Sequence, residues 1–177
     1  HDGEISEVMT ADPMPRTRWF TGTRLNYAEN VLRHETAGDP SRPMLHHASE
    51  LRDLAAISWR EVGSAVRRLA TRLRAMGIGP GDRVVAYMPN IPEAMIAMLA
   101  TTAIGATWSS AAPEFGAQTV IDRFSQIEPK LVFAVNGYRY GGKDYDRTAD
   151  LEKILSALPS AEHLVMLDYL PGASTTP

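Results

Sequence analysis

The chain has 177 residues, of which 44% are hydrophobic and 22% are charged, and it carries a net charge of −3 and no cysteine. This length and apolar content fit one globular domain, or one lobe of a larger domain, with enough apolar side chains for a core. The weakly acidic balance disfavours a nucleic-acid partner, which needs a basic surface, and without cysteine there can be no disulfide, no thiolate nucleophile and no cysteine-ligated zinc site.

The first forty residues show little hydrophobic periodicity. They contain several breakers of regular structure, among them Pro13, Pro15, Gly22, Gly38 and Pro40. We therefore expect an extended or loosely helical arm over residues 1–40, lying across a larger body. A β-hairpin is expected next, with apolar edges at Met44-Leu45 and Ala56-Ile57 around a polar middle.

An amphipathic helix with a capping box follows the hairpin. Ser58 and Glu61 have the spacing at which each side chain caps the backbone of the other. A single apolar stripe runs behind them, made of Val62, Val66, Leu69, Leu73 and Met76. Gly77 supplies the left-handed stop, and residues 79–82 (G-P-G-D) form a tight turn.

Strands and helices alternate from residue 83 onward. The predicted strands are Arg83–Met88, Ala106–Ser110, Leu131–Val135 and Leu164–Leu167, and the predicted helices are Pro92–Ile104, Ala117–Ile127 and Thr148–Leu158. This alternation indicates an α/β fold with a mostly parallel sheet and helices on both faces. Ligands in such sheets bind outside the carboxyl ends of the strands, so the segments that follow the four strands are where chemistry is expected.

No membrane partner is expected. Residues 94–113 carry no formal charge and are about as long as a membrane span, but threonines, serines, a glycine and a proline dilute their hydropathy. We interpret them as a buried helix followed by a buried strand. The polar start, His1-Asp2-Gly3-Glu4, is unlike a secretory signal, and together with the absence of cysteine it favours the cytoplasm.

Residues 137–143, G-Y-R-Y-G-G-K, have the G-x-x-x-x-G-K spacing of a phosphate-binding loop and follow a predicted strand. The next residue is Asp144, where such a loop needs Ser or Thr to hold magnesium, and its carboxylate would repel phosphates. A nucleotide-hydrolysing loop is therefore disfavoured. Arg139 and Lys143 remain as two cations in a Gly-rich loop that could hold an anionic ligand. A solvated basic turn explains the same spacing equally well.

Metal-binding and catalytic patterns are incomplete in this sequence. Residues 144–155 imitate the start of a calcium loop, but Ala149 and Leu155 stand where that loop requires Gly and Glu. The five histidines, His1, His34, His46, His47 and His163, are interpreted as surface or structural residues. We expect no metal site and no complete catalytic set within this chain.

Several segments, taken in order, carry a resemblance to a known family. They are Trp19–Asn30, Gly79–Val84, Met88–Ala94, Gly105–Ser110, Pro113–Gly116, Asp122–Phe124, Ile127–Lys130 and Gly137–Lys143. The ordered set resembles the short-chain acyl-CoA synthetases of the adenylate-forming superfamily. The residues of the last segments are most similar to those of the family members that activate acetoacetate.

The resemblance implies a two-step ligase that uses ATP, coenzyme A (CoA) and Mg²⁺ to convert acetoacetate into its CoA thioester. The family binds ATP with a Ser/Thr/Gly-rich loop and an aromatic-Thr-Glu segment and adenylates with a C-terminal Lys, and none of these matches a segment here. The chain is therefore expected to be an incomplete lobe of the large N-terminal domain, inactive alone. Expected partners are the rest of that domain and a mobile C-terminal domain. The expected organisation is an arm (1–40), an α/β lobe (41–170) and a linker-like tail (171–177).

Five residues are candidate CoA contacts by the same resemblance, which places two loops near the CoA nucleotide. They are Glu114, Phe115 and Gly116 in one loop and Arg139 and Lys143 in the other. The two cations are the candidates for the 3′-phosphate, and no residue of the chain is expected to be catalytic. Two alternatives stay open: a fragment of another short-chain acyl-CoA synthetase, and a stand-alone module that binds CoA or a nucleotide.

Overall fold

A computed structural model describes residues 2–177, so His1, where the predicted arm begins, lies outside the described residues. The strands are β1 (Glu7–Met9), β2 (Trp19–Thr21), β3 (Pro43–Ser49), β4 (Arg52–Ser58), β5 (Arg83–Tyr87), β6 (Thr107–Ala111), β7 (Leu131–Val135), β8 (Gly137–Tyr140), β9 (Lys143–Asp146) and β10 (His163–Leu167). The helices are α1 (Tyr27–Leu32), α2 (Trp59–Ala75), α3 (Pro92–Ala103), α4 (Ala117–Phe124) and α5 (Thr148–Ser156), with a 3₁₀ turn at Arg33–Glu35.

A four-stranded parallel sheet forms the centre, in the order β10-β7-β5-β6. Its two middle strands, β5 and β7, are apolar and almost wholly buried. The alternating side chains of β5 show why the sheet needs cover on both sides: Val84 and Ala86 join one apolar cluster, and Val85 and Tyr87 join the other. Helices α2 and α3 contribute to the first cluster, and α4 and α5 to the second. The predicted α/β class, with helices on both faces, is confirmed.

The capping box at the start of α2 is confirmed in full. The Ser58 hydroxyl accepts from the Glu61 amide at 3.2 Å, and the Glu61 carboxylate accepts from the Ser58 amide at 2.8 Å. At the other end Gly77 takes a φ of +78°, the left-handed conformation that stops the helix. Local sequence signals therefore fix both ends of the longest helix.

Three antiparallel hairpins surround the central sheet. β3 pairs with β4, as predicted, and β1 pairs with β2 inside the region predicted to be extended or loosely helical. The third hairpin, β8–β9, replaces the loop predicted at 137–143. Gly141 and Gly142 have φ values of +60° and +72°, the positive φ at both central positions that a tight two-residue hairpin turn requires.

Two helices end earlier than the periodicity predicts. Helix α4 stops at Phe124 instead of Ile127, and α5 stops at Ser156 instead of Leu158. Past the end of α4, Glu128, just before Pro129, has a φ of +48°. The Arg83 guanidinium donates to the carbonyl oxygens of Ile127 and Glu128 at 2.7 and 2.8 Å. These bonds satisfy two backbone acceptors past the end of α4, where Ile127 donates to the carbonyl of Phe124 at 3.1 Å in a turn. No helix within residues 2–177 is long and apolar enough to span a membrane.

Candidate functional site

Two segments predicted to bind CoA lie at the carboxyl ends of neighbouring strands. Residues 113–116 follow β6, and the β8–β9 hairpin follows β7, with β5 between them in the sheet. Tyr87, the last residue of β5, connects to the first segment: its buried hydroxyl shares a hydrogen bond between the carbonyl oxygens of Pro113 and Phe115, at 3.0 and 2.8 Å. Burial raises the pKa of Tyr87 to about 12, so the hydroxyl remains a donor at neutral pH.

The three candidates in the first segment have different environments. Glu114 is exposed at the surface. The Phe115 ring is 39% exposed, and the Arg123 guanidinium lies 4.9 Å from its centroid. Gly116 is the N-cap of α4, and a side chain built there would meet open space. The segment is thus anchored through its carbonyls and presents a carboxylate and an aromatic ring outward.

Arg139, the first cation of the hairpin, is paired with its cross-strand neighbour. Its Nε and Nη2 donate to the two carboxylate oxygens of Asp144 at 2.6 and 3.0 Å. The hydrogen bond from Arg139 holds the pKa of Asp144 below its ordinary value, and the same bond raises the pKa of Arg139. Asp144, the residue that disfavours a phosphate-binding loop in the sequence, therefore neutralises Arg139 in the folded chain.

Lys143 lies on the opposite face of the hairpin from Arg139. Cross-strand partners share a face, and Lys143 is opposite Tyr140 whereas Arg139 is opposite Asp144. Within residues 2–177 no carboxylate forms an ion pair with Lys143. The Gly-rich loop expected here is a hairpin, and the alternation of strand side chains places the two cations on opposite faces. Their roles toward CoA stay predictions.

The outer end of the hairpin binds an anion from within the protein. The amides of Gly141 and Gly142 donate to the two carboxylate oxygens of Glu50, each at 2.7 Å. Glu50 lies in the two-residue turn between β3 and β4, so the tips of two hairpins meet at this contact. No local pattern in the sequence predicts this contact, since 91 residues separate Glu50 from Gly141.

An aromatic and cationic cluster fixes the inner end of the same hairpin. The rings of Tyr138 and Tyr145 stack with centroids 5.0 Å apart and an angle of 13° between their planes. The Arg147 guanidinium lies over Tyr138 at 5.3 Å, donates to its hydroxyl at 3.1 Å and pairs with Asp150 at 2.8 Å. These contacts tie the hairpin to the start of α5.

Asn136 is a site residue that the sequence reasoning missed. It lies between β7 and β8, is fully buried, and accepts hydrogen bonds from the amides of Tyr169 and Leu170 at 2.9 and 2.8 Å. Its own amide donates to the Asp168 carboxylate at 2.9 Å and to the Leu170 carbonyl at 3.0 Å. Asn136 therefore holds the segment after β10 against the base of the β8–β9 hairpin.

Among the described residues no group of three or more histidine and acidic side chains could hold a metal ion. The carboxylates of the apparent calcium loop have protein partners instead. Asp144 pairs with Arg139, Asp146 accepts from Thr148 at the start of α5, and Asp150 pairs with Arg147. His163 is in contact with the carbonyl of Met76 through Nε2 at 3.0 Å.

Comparisons with known proteins agree with the family resemblance. The pattern of the AMP-binding enzyme family matches residues 32–176. The chain is 44% identical to acetoacetyl-CoA synthetase of Rattus norvegicus over 153 residues, which cover 86% of this chain and 22% of the rat protein. It is also 44% identical to the acetoacetyl-coenzyme A synthetase of Rhizobium meliloti, covering 88% and 24% of the two chains.

A solved structure shares the fold. Acetoacetyl-CoA synthetase from Streptomyces lividans matches 97% of this chain with a TM-score of 0.91 and 42% identity, and the match covers 26% of that protein. The resemblance predicted from the ordered segments is thus confirmed. The chain spans about a fifth to a quarter of the length of these relatives.

Proposed function

Because the chain belongs to the AMP-binding enzyme family, we propose that it is the N-terminal segment of an acetoacetate–CoA ligase. The observation that carries the proposal is its 42–44% identity, over nearly all of its length, to three proteins named as acetoacetyl-CoA synthetases. The division into an arm (1–40), a lobe (41–170) and a tail (171–177) belongs to the same proposal. The chain alone is expected to be inactive.

The proposed reaction has two steps. A carboxylate oxygen of acetoacetate attacks the α-phosphorus of ATP, which forms acetoacetyl-AMP and releases pyrophosphate. The thiol of CoA then attacks the acyl carbon, which forms acetoacetyl-CoA and releases AMP and a proton. Relatives of this kind rotate a mobile domain between the steps, and that domain and the rest of the large domain are the proposed partners.

This chain's proposed part is to hold the CoA nucleotide in the second step. Arg139 offers a permanent charge and a planar fork of donors that suits a phosphate, once the ligand competes with Asp144. Phe115 has an exposed ring that could stack on adenine. Its neighbours Glu114 and Gly116 belong to the same segment, which the Tyr87 hydroxyl anchors. Lys143 faces the other side of the hairpin, which makes it the weaker candidate for the same phosphate.

ATP and Mg²⁺ are assigned to the remainder of the parent protein. The carboxylates of residues 2–177 do not form a cluster that fits a metal ion. The remainder of the parent protein is also proposed to pack against the apolar surface of the first thirty residues. The large exposed side chains there are Ile5, Val8, Met9, Met14, Trp19, Phe20, Leu25 and Tyr27. The proposed compartment is the cytoplasm, which cell fractionation tests.

The function is tested on the complete product of the native gene, whose mass also separates a ligase from a stand-alone module. Pyrophosphate release reports the first step and CoA thioester formation the second. We expect both with acetoacetate, and less with acetate, propionate and butyrate. Thioester formation that is fastest with one of those other acids would favour a different short-chain acyl-CoA synthetase, and binding of CoA with neither step would favour a binding module.

The CoA role is tested by Arg139→Ala in the same protein. We expect the KM for CoA to rise about tenfold or more, with pyrophosphate release nearly unchanged, because only the second step uses CoA. The matched control is Arg72→Ala, which removes an exposed arginine from α2. An equal loss in both half-reactions would contradict a role confined to CoA.

A further inference from the structure

Two successive backbone amides at the tip of β8–β9 bind one carboxylate. Gly141 and Gly142 donate to separate oxygens of Glu50, both at 2.7 Å and both with positive φ. Successive amides that converge in this way form a concave anion-binding nest. Glu50 is the anion in it, and it is exposed, so water and solutes can reach the contact.

The tip of the hairpin is at the open surface and has a cation nearby. A side chain built on either glycine would find no atom within 4 Å, so no other part of the described chain covers the tip on that side. Arg139 lies two residues before Gly141 on β8, and its pKa is raised mainly by the hydrogen bond to Asp144 and to a smaller extent by the charge of Glu50. A phosphoryl group carries more charge and one more oxygen than a carboxylate, and amides with a nearby guanidinium are typical donors for it.

We propose that the tip of β8–β9 is a phosphoryl-binding nest and that Glu50 is its internal occupant, which a phosphate-bearing ligand must displace. The proposal deepens the CoA role argued above and rests on it only for the natural source of the phosphoryl group. Glu50 thereby acts as a competitor that lowers the apparent affinity of the nest for every phosphoryl ligand, because that affinity is the intrinsic affinity multiplied by the fraction of time the nest is open.

Opening the nest needs only the Glu50 side chain to turn away. The turn that carries it is held independently, by a hydrogen bond of 2.8 Å between the hydroxyls of Tyr169 and Ser49 and by the Arg52–Glu93 ion pair at 2.9 Å. Arg52 also lies over the Tyr169 ring at 4.7 Å. The backbone of the β3–β4 turn can therefore stay in place while the carboxylate leaves, which makes Glu50 a side-chain gate.

The test compares Glu50→Gln with Asp53→Asn in the complete product of the native gene. Both remove one negative charge from the same hairpin, but the described structure shows no hydrogen bond between Asp53 and the β8–β9 tip. Calorimetric titration uses three probes: adenosine 3′,5′-bisphosphate, inorganic pyrophosphate and adenosine. Selective ¹⁵N-glycine labelling follows the amides of Gly141 and Gly142 in the same titrations.

We expect Glu50→Gln to bind adenosine 3′,5′-bisphosphate about tenfold more tightly than the unchanged protein and Asp53→Asn to bind it within about twofold. A matching gain for pyrophosphate assigns the nest to phosphoryl groups in general, and a gain for the bisphosphate alone assigns it to the nucleotide. Equal affinities in the two variants, a similar gain for adenosine, or Gly141 and Gly142 signals that do not respond would each overturn the proposal.

Glu50→Asp is the second variant, in case the first one fails to fold, because its side chain is one methylene shorter and does not reach the two amides at the 2.7 Å distances of Glu50. It should bind the bisphosphate more tightly than the unchanged protein as well. These binding measurements do not depend on catalysis. Tighter binding of the bisphosphate by the Glu50 variants, in a protein that forms no acetoacetyl-CoA, would support the nest and contradict the proposed ligase function. Ligase activity without tighter binding would support the ligase function and contradict the nest.

Discussion

Two pairs of backbone amides near the carboxyl ends of the strands donate to a side-chain oxygen acceptor, and they differ in burial. The amides of Tyr169 and Leu170 donate to Asn136 at 2.9 and 2.8 Å, and those of Gly141 and Gly142 donate to Glu50 at 2.7 Å. The distances are nearly equal. Asn136 is 0% exposed, however, whereas Glu50 is at the surface.

Burial decides which of these bonds can be exchanged. A buried donor that loses its acceptor gains no water in return, so the Asn136 bonds are a permanent part of the fold. An exposed donor can exchange its partner for water or a ligand at little cost, so the Glu50 bonds are open to competition. Hydrogen-bond length alone would predict that the Asn136 and Glu50 bonds are equally permanent.

The largest effect should come from breaking the buried set. We expect Asn136→Ala to lower the free energy of unfolding by about 3–4 kcal/mol, because it leaves two buried amides and the Leu170 carbonyl without their partner. Chemical denaturation of the variant and the unchanged chain measures the difference.

Asn90→Ala is the matched control for that loss. Asn90 is exposed, and its side chain forms no hydrogen bond among residues 2–177, so its removal should change the free energy of unfolding by less than about 0.5 kcal/mol. Equal costs for the two asparagines would show that the buried set is as exchangeable as the exposed one.

Most of the central fold could be predicted from the sequence because its signals are local. The bounds of β7 and both ends of α2 follow from apolar runs, a capping box and a left-handed glycine within a few residues. At the end of α4 the prediction was wrong by three residues. The chain turns there, with Ile127 donating to the carbonyl of Phe124, and Arg83, 44 and 45 residues away in sequence, binds the carbonyl oxygens that follow.

The candidate site was predictable in place but not in geometry. Parallel strands predict that ligand-binding segments follow β6 and β7, and both candidate segments are there. The Gly-rich spacing hid a hairpin signal: Gly141-Gly142 is a typical two-residue hairpin turn, and strand-favouring tyrosines flank it at 138, 140 and 145. The contacts of Asn136 and Glu50 cross 33 and 91 residues, so no local pattern could reveal them.

Tyr87 combines features of the buried Asn136 bonds and the exposed Glu50 bonds, because its hydroxyl is buried and its acceptors belong to a surface segment. We expect Tyr87→Phe to lower the free energy of unfolding by about 1–2 kcal/mol and to increase amide exchange across residues 114–116. The control Tyr140→Phe removes a hydroxyl from a side chain that is 68% exposed, and it should change neither quantity. If the two variants behave alike, the hydroxyl does not anchor the segment.

Alkaline pH gives a second measurement of the same hydroxyl. Burial raises the pKa of Tyr87 to about 12, whereas in the unfolded chain the phenol titrates near its ordinary value of 10. The neutral phenol therefore adds stability that is complete below pH 10 and is lost as the pH rises towards 12. Phenolate absorbance should show one late-titrating tyrosine in the unchanged chain, and that late component should be missing in Tyr87→Phe.

The smallest effect belongs to the exposed ion pair of the hairpin and appears only in acid. The hydrogen bond from Arg139 lowers the pKa of Asp144 below 3.8, so its contribution is complete above that pH and is lost as the pH falls through the lower folded value. Carboxyl ¹³C shifts should therefore place the Asp144 midpoint below 3.8, and Arg139→Gln should raise it. Glu61 is the internal control, because its pKa is lowered by hydrogen bonds from Ser58 and should not respond to Arg139→Gln. An Asp144 midpoint that also does not respond would show that the pair is open in solution, which would leave Arg139 free for a phosphate without any exchange.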